Sequence, residues 1–185
     1  GCGFGRRLEP DAAIPAALAS QFINRPVKLI FTREDDMMFN FNRTLTYQVL
    51  EGGAEFGKIT SLKHDNCAGW STFRQAPGFM AESIDNKGKL DQVSTNGSDH
   101  WYDIPNHYVR SIRNEMNDKS NPPGSVRSVA PFWSFFAVES YMDEMAHLMK
   151  IDPLEFRLRH INPVGINKGI KGVSYGGSNR LRNAL

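Results

Sequence analysis

The feature that most constrains the fold is a periodic run of apolar residues after Arg127. These residues recur every three or four positions, which places them on one face of an α-helix; they are Phe135, Val138, Met142, Met145 and Met149. A helix with one apolar face is stable in water only when another element covers that face. The rest of the chain must therefore supply a partner layer for this helix.

Two further helices are predicted from start signals. In Asp152-Pro153-Leu154-Glu155 the aspartate can cap a helix, the proline fits its first turn, and the glutamate stands three residues after the cap. Near the start of the chain, the alanine-rich segment 9–22 predicts a helix with Pro15 in its first turn.

Strands are predicted in the first half of the chain. Polar and apolar residues alternate over Thr44–Leu50 and continue over Gly57–Lys63 after Gly52-Gly53, which indicates an antiparallel hairpin. The short run Val27–Phe31 also predicts a strand, whereas residues 66–125 predict loops and short strands. The sequence therefore predicts an α+β fold in which helices and antiparallel strands are segregated.

Charge and cysteine content exclude several classes of protein. The 185 residues carry 22 Lys and Arg against 20 Asp and Glu, and no stretch forms the concentrated basic face of a nucleic-acid-binding protein. Two cysteines cannot form a disulfide framework. The longest mostly apolar run, Val129–Val138, is half the length of about 20 residues that a membrane-spanning helix needs.

The two ends predict that the chain is part of a larger protein. It begins with the glycine-rich run Gly1–Gly5 and closes on Asn183–Leu185 after a basic run without a cap. Glycine clusters usually connect two elements rather than start a domain. We therefore expect residues 1–185 to be a partial domain that continues beyond both ends, and the compartment, cytoplasmic or periplasmic, stays open.

The first candidate site is the sequence Gly1-Cys2-Gly3-Phe4-Gly5-Arg6-Arg7. Glycines at alternate positions allow backbone N–H groups to approach an anion closely, and the two arginines can neutralise it. A tight turn followed by a solvated basic pair explains the same residues equally well. The motif is neither a dinucleotide-binding fingerprint nor a Walker A loop, because its spacing is G-x-G-x-G and no Gly-Lys-Ser/Thr follows.

The second candidate site is the loop Pro122–Val129, which presents Arg127 immediately before the periodic helix. The planar fork of an arginine suits a phosphate or the edge of a polar heterocycle. An exposed arginine at an ordinary junction between loop and helix is the alternative.

Protein-ligated metals are weakly supported. Glu144 and His147 have the Glu-x-x-His spacing of di-iron bundles, but such bundles need that motif twice. His64 and Cys67 form one pair without further ligands. The charged patch Arg33–Asp36 has residues that could bind a cation, and we interpret it as a solvated loop after a strand.

Six blocks of the sequence, in one order over residues 1 to about 160, match a known family. They are Gly1–Arg7, Thr32–Met37, Tyr102–Asn106, Arg127–Val129, Phe136–Ala146 and Asp152–Arg157. Together they resemble the molybdenum-binding large subunit of the xanthine oxidase and aldehyde oxidase family, in the branch of the isoquinoline 1-oxidoreductase beta subunit. Residues 66–100 and the last 25 match no pattern of that family.

The resemblance implies a molybdenum-dependent hydroxylase that inserts water-derived oxygen into an aldehyde or into a carbon next to a ring nitrogen. It implies a molybdopterin cofactor, in the cytosine dinucleotide form of bacterial members, whose sulfurs hold the molybdenum without a protein ligand. It also implies an iron–sulfur small subunit with a 2Fe–2S cluster as partner and a small-molecule substrate, with no nucleic acid and no membrane span.

Individual residues follow from the same resemblance. Gly3, Phe4 and Gly5 correspond to the loop that contacts the molybdenum centre through backbone groups. Arg127 corresponds to an arginine at the wall of the pterin and active site, and Arg6 is expected to bind the cofactor as well.

Two positions depart from the pattern of the family. Cys2 stands where relatives usually have glycine, and Leu8 stands where purine-oxidising members have a glutamate, which argues against xanthine as the substrate. The catalytic glutamate of the family lies further downstream, so we expect no catalytic residue in this segment and no activity from it alone. The alternative, from another class, is a stand-alone α+β module that binds a phosphorylated ligand through its glycine and arginine loop.

Overall fold

The computed structural model describes residues 3–83, 85–86, 88–161 and 177–185, so the expectations for Gly1 and Cys2 lie outside the described residues. The helices in these ranges are α1 (Ala13–Ile23), α2 (Arg33–Phe39), α3 (Ser71–Gln75), α4 (Glu115–Ser120), α5 (Ala130–Leu148), α6 (Pro153–Arg159) and α7 (Ser178–Ala184). The strands are β1 (Thr46–Glu55), β2 (Lys58–Ala68), β3 (Ala81–Glu82), β4 (Lys89–Leu90) and β5 (Asn106–Arg113).

The predicted hairpin is confirmed, with its turn moved along the chain. β1 and β2 pair antiparallel, and the turn between them is Phe56-Gly57 rather than Gly52-Gly53. Both turn residues have positive φ, 51° and 76°, as the tight turns that match the twist of a hairpin require. Gly52 and Gly53 lie inside β1, where the register shifts after Gly53.

The α+β class is confirmed, and the main sheet has the order β1-β2-β5. β5 pairs parallel with β2, from Ser61 opposite Asn106 to Ala68 opposite Arg113, which the alternation of residues did not predict. A parallel pair needs a long crossover between its strands. Residues 69–105 provide it, and they include α3 and the small antiparallel pair of β3 and β4.

The long helix α5 covers the sheet with its predicted apolar face. Val138 and Met142 are buried, and Met145 and Met149 pack against the same core. The core is completed from β2 and α6, mainly by Ile59, Leu62 and Phe156.

Polar contacts fix α6 beside α5. The carboxylate of Asp152 accepts hydrogen bonds from the amides of Leu154 and Glu155, which confirms the predicted cap. The buried guanidinium of Arg157 pairs with Glu139 at 2.8 Å and with Asp143 at 2.6 Å, and both carboxylates belong to α5. These contacts connect α6 directly to α5.

Two predictions in the first forty residues were wrong. Val27–Phe31 forms no strand, because the run has no partner strand and leaves Ile30 71% exposed. The patch Arg33–Asp36 is the start of α2 and not a loop. Thr32 and Asp35 form a reciprocal capping box there, in which each side chain accepts a hydrogen bond from the backbone amide of the other.

Helix α1 is confirmed with Pro15 near its start, and neither α1 nor α2 contains a buried residue. No helix in the described ranges is long and apolar enough to cross a bilayer.

Candidate functional site

The two candidate motifs meet in space, although they are about 120 residues apart in the chain. We call residues 3–8 the glycine loop and residues 122–129 the proline loop. Between them lies an open cleft of about 560 Å³. The residues that line the cleft are Gly3, Phe4, Gly5, Arg7, Leu8, Ser125, Val126, Arg127, Ser128 and Val129.

Gly5 is the point of closest approach between the loops. A Cβ atom at this position would lie 1.5 Å from the carbonyl oxygen of Ser125, so no side chain fits there. Gly5 also has a φ of +95°, which side chains other than glycine rarely adopt. The glycine is therefore required for the two loops to touch.

The backbone is strained on both sides of the cleft. Phe4, Ser128 and Val129 have φ values of 50°, 72° and 43°. Positive φ is uncommon for any residue other than glycine and is an outlier for a β-branched residue such as Val129. Such strain persists where surrounding contacts hold it, and it is concentrated at functional sites.

The cleft presents two exposed cationic side chains. The guanidinium carbon of Arg127 lies 5.7 Å from the centroid of the Phe4 ring, so the fold brings together two residues that were predicted separately. Arg7 also lines the cleft. Among the described residues, neither arginine has a carboxylate within ion-pair distance.

Arg6 differs from Arg7, because its guanidinium forms ion pairs with carboxylates of the fold. Its guanidinium pairs with Asp11 at 2.7 Å and with Asp36 at 3.2 Å, and it lies 5.5 Å from the centroid of the Phe41 ring. The hydrogen bond to Asp11 raises the pKa of Arg6, and the same bond lowers the pKa of Asp11. These contacts tie the glycine loop to α2, while Arg7 is the arginine that faces the cleft.

A partly buried polar network on the side of α3 joins the two loops. Arg74 and Gln75 both donate to the carboxylate of Glu9, just after the glycine loop. Arg74 also donates from Nε to the carbonyl oxygen of Pro123 at 2.8 Å, and the hydroxyl of Ser125 donates to Gln75 at 2.8 Å. Helix α3 therefore fixes the spacing of the cleft.

The other candidate sites do not assemble in the described part of the chain. His64 and Cys67, three residues apart on β2, point to opposite faces of the sheet, and the His64 ring is hydrogen-bonded to Gln48 at 2.7 Å. Glu144 and His147 are exposed on α5. No group of three or more His, Cys, Asp or Glu residues in the described ranges is arranged to hold a metal ion.

Sequence reasoning identified both loops as candidate sites but did not predict that Arg6 forms ion pairs within the fold while Arg7 lines the cleft. Arg6 and Arg7 are adjacent and chemically identical, so the sequence offers no signal for which one faces the cleft. The positive φ values of Ser128 and Val129 were not predicted either, because the residue types Ser and Val do not indicate a positive φ.

Comparison with known proteins identifies the family of the chain. A family model described as the molybdopterin cofactor-binding domain matches residues 1–161. A membrane-bound aldehyde dehydrogenase (pyrroloquinoline-quinone) of Gluconacetobacter polyoxogenes is 43% identical over 182 residues, which cover 97% of this chain and 23% of that protein. The isoquinoline 1-oxidoreductase subunit beta of Brevundimonas diminuta is 31% identical over 164 residues, which cover 88% of this chain and 20% of that protein.

The fold is also found in solved structures. The aldehyde oxidoreductase from Desulfovibrio gigas superposes with a TM-score of 0.68 at 21% identity, over 90% of this chain and 17% of that one. The chain spans about a fifth of the length of the curated relatives that it matches. Because the family model covers residues 1–161, the resemblance of the six sequence blocks is confirmed, and the chain belongs to the molybdopterin cofactor-binding domain family of xanthine oxidase and aldehyde oxidase type.

Proposed function

We propose that this chain forms part of the cofactor site of a molybdenum hydroxylase large subunit, an oxidoreductase that acts on an aldehyde or an N-heterocycle. The observation that carries the proposal is the pair of arginines at the cleft, Arg7 and Arg127, which lack carboxylate partners among the described residues. Unpaired guanidinium groups beside backbone loops attract anionic oxygens. The phosphate of a pterin cofactor supplies such oxygens.

The residues that line the cleft suit this cofactor. The described lining contains guanidinium, hydroxyl, backbone and apolar groups, with no thiolate, imidazole or carboxylate. That donor set fits a metal held by the sulfurs of the pterin and not by the protein. When bound, the cofactor supplies the two-electron oxidation of the substrate and the transfer of water-derived oxygen to it.

Each residue of the site is assigned a separate task. Gly5 keeps a side chain out of the contact between the loops, whereas a Cβ at Gly3 would meet the side chain of Arg7. Both glycines leave room for backbone groups to approach the cofactor. Arg127 and Arg7 bind its anionic oxygens, and the Phe4 ring beside Arg127 shields one side of the cleft. Arg6 acts by holding the glycine loop on α2.

We propose that the general base of the reaction comes from a downstream part of the full-length protein, as the resemblance to the family implies; the described lining of the cleft contains no carboxylate or imidazole. We expect residues 1–185 to be inactive alone, as part of a domain that extends beyond both ends.

The substrate class follows from Leu8, which lines the cleft and is 69% exposed. An apolar side chain at this position cannot hydrogen-bond a purine, so an aldehyde or a simple N-heterocycle is favoured over xanthine. The names of two relatives, an aldehyde dehydrogenase and an isoquinoline oxidoreductase, agree with these classes. We propose the cytosine dinucleotide form of the cofactor and a small iron–sulfur subunit with a 2Fe–2S cluster as the electron-accepting partner.

The test is metal and cofactor analysis of the full-length protein, purified from a molybdate-supplied host together with any partner subunit. We expect near-stoichiometric molybdenum, CMP released by acid hydrolysis, and about two irons per complex from the partner. The relative of 43% identity carries pyrroloquinoline quinone in its name, so the same sample is assayed for that quinone. Quinone without molybdenum would refute the proposal. Absence of both would favour a phosphate-binding module without catalysis.

A further inference from the structure

A third arginine, Arg43, contacts the proline loop from the side of the sheet. Its guanidinium donates to the carbonyl oxygen of Arg127 at 2.8 Å and makes a longer contact of 3.5 Å with the carbonyl oxygen of Val129. It also stacks on the ring of Phe132 in the first turn of α5, 4.1 Å from the centroid. One side chain therefore holds both ends of the strained segment that begins at Arg127.

Arg43 is itself anchored to rigid parts of the fold. Its carbonyl oxygen accepts a hydrogen bond from Asn121, and the neighbouring Thr44 bonds to Gly69 and Asn117. Burial lowers the pKa of the Arg43 guanidinium, and no carboxylate among the described residues pairs with it. A charged group kept half-buried with carbonyl oxygens as its partners strongly orients those carbonyls.

The orientation of one carbonyl fixes the orientation of the next amide. In a trans peptide the C=O and the following N–H point in opposite directions. The carbonyl of Arg127 points to Arg43, so the N–H of Ser128 points away from Arg43. Ser128 lines the cleft, and within the described ranges its amide donates to no other protein group.

We infer that Arg43 is a positioning residue, which turns the carbonyl of Arg127 away from the cleft so that the Ser128 amide is free to bind an anionic oxygen of the cofactor. This inference rests on the proposed function for the identity of the ligand. The ligand chemistry is a phosphate or pterin oxygen, bound jointly by the Ser128 N–H and the Arg127 guanidinium. Arg43 touches neither cofactor nor substrate.

The test compares the same conservative substitution at two stacked arginines of the full-length protein. Arg43→Lys keeps a charge but loses the planar fork, and Arg43→Gln is a second variant without the charge. The matched control is Arg113→Lys. Arg113 also stacks on a ring, that of Phe73 at 3.7 Å, and is hydrogen-bonded to Asp118 at 2.7 Å, but it does not line the cleft.

Two readouts separate positioning from general stability. The first is amide hydrogen exchange over residues 125–129, which we expect to be on the order of tenfold faster in Arg43→Lys and unchanged in Arg113→Lys. The second is the rate of molybdenum loss on dialysis, which we expect to rise by about the same factor in Arg43→Lys.

The outcomes distinguish this inference from the proposed function. If the wild-type protein contains no molybdenum, the proposed function and the cofactor part of the inference both fail. If the wild-type protein contains molybdenum, and Arg43→Lys matches it in both amide hydrogen exchange and molybdenum retention, the inference alone is wrong. Equal effects of both lysine variants would also overturn it, since a general loss of stability would then explain them.

Discussion

The contact between the glycine loop and the proline loop depends on Gly5, and Gly5→Ala is the sharpest test of it. The new Cβ would lie 1.5 Å from the carbonyl oxygen of Ser125 and 2.4 Å from its carbonyl carbon. Because non-bonded carbon atoms are in contact at about 3.5 Å, the two loops would have to separate by about 2 Å. The cleft between them would open by a similar distance.

The energetic cost of Gly5→Ala has two parts. A residue other than glycine at left-handed φ costs about 1 kcal/mol, and overpacking costs about 1–3 kcal/mol. Their sum of roughly 2–4 kcal/mol shifts the equilibrium between touching and separated loops by roughly 30- to 700-fold. We therefore expect the full-length variant to lose most of its molybdenum.

The matched control is Gly78→Ala, because a Cβ at Gly78 meets no heavy atom within 4 Å. Molybdenum per subunit and the thermal midpoint are measured for both variants beside wild type. Gly78→Ala is expected to match wild type in both. If Gly5→Ala also keeps its full molybdenum content and its thermal midpoint, the loops do not touch as described, and the reasoning about the cleft is refuted.

Three further predictions concern the site, the core and the response to pH. Arg127→Ala should lower turnover of the full-length enzyme by more than tenfold in steady-state assays, which corresponds to about 1.4 kcal/mol of activation free energy. His147→Ala should cause no comparable loss, because His147 is exposed on α5. Arg157→Ala leaves carboxylates of α5 without their buried partner and should lower the free energy of unfolding by about 2–4 kcal/mol in denaturant titrations. Arg159→Ala removes a more exposed ion pair and should lower it by about 0.5 kcal/mol or less. Equal losses in the two variants would contradict this. Burial lowers the pKa of His64 to about 4, so folding opposes its protonation, and stability should fall by about 3 kcal/mol as the pH drops from 6.5 towards 4. The thermal midpoint should therefore depend less on pH in His64→Gln, and an unchanged pH profile would count against this assignment.

Local signals predicted most of the regular structure. The periodic apolar residues of α5, the Asp152 cap of α6 and the alternation in β1 and β2 each depend on neighbours within one element, and all of these predictions are confirmed. The capping box between Thr32 and Asp35 was also present in the sequence as Thr-x-x-Asp. The same acidic residues also suit a solvated patch, so the sequence alone does not single out the capping box.

The sequence could not predict which strand would become the second neighbour of β2. A strand pattern records which face is buried but not the partner across the hydrogen bonds. The run Val27–Phe31 resembles a strand in composition and yet pairs with nothing in the described sheet, whereas β5 pairs parallel with β2. Tertiary packing decides between them, because a strand is stable only where a neighbour satisfies its backbone.

By itself, the sequence determined the α+β class and the family and predicted the two loops of the candidate site, since these depend on residue types at fixed local spacings. Only the tertiary structure decided that Gly5 meets Ser125, that Arg6 pairs with carboxylates while Arg7 faces the cleft, and that Arg43 holds the carbonyl of Arg127. The contacts of Gly5 and Arg43 join residues 84 or more positions apart, and the ion pairs of Arg6 distinguish it from an adjacent, chemically identical residue. No local pattern encodes them, because they arise where the folded backbone brings distant segments together.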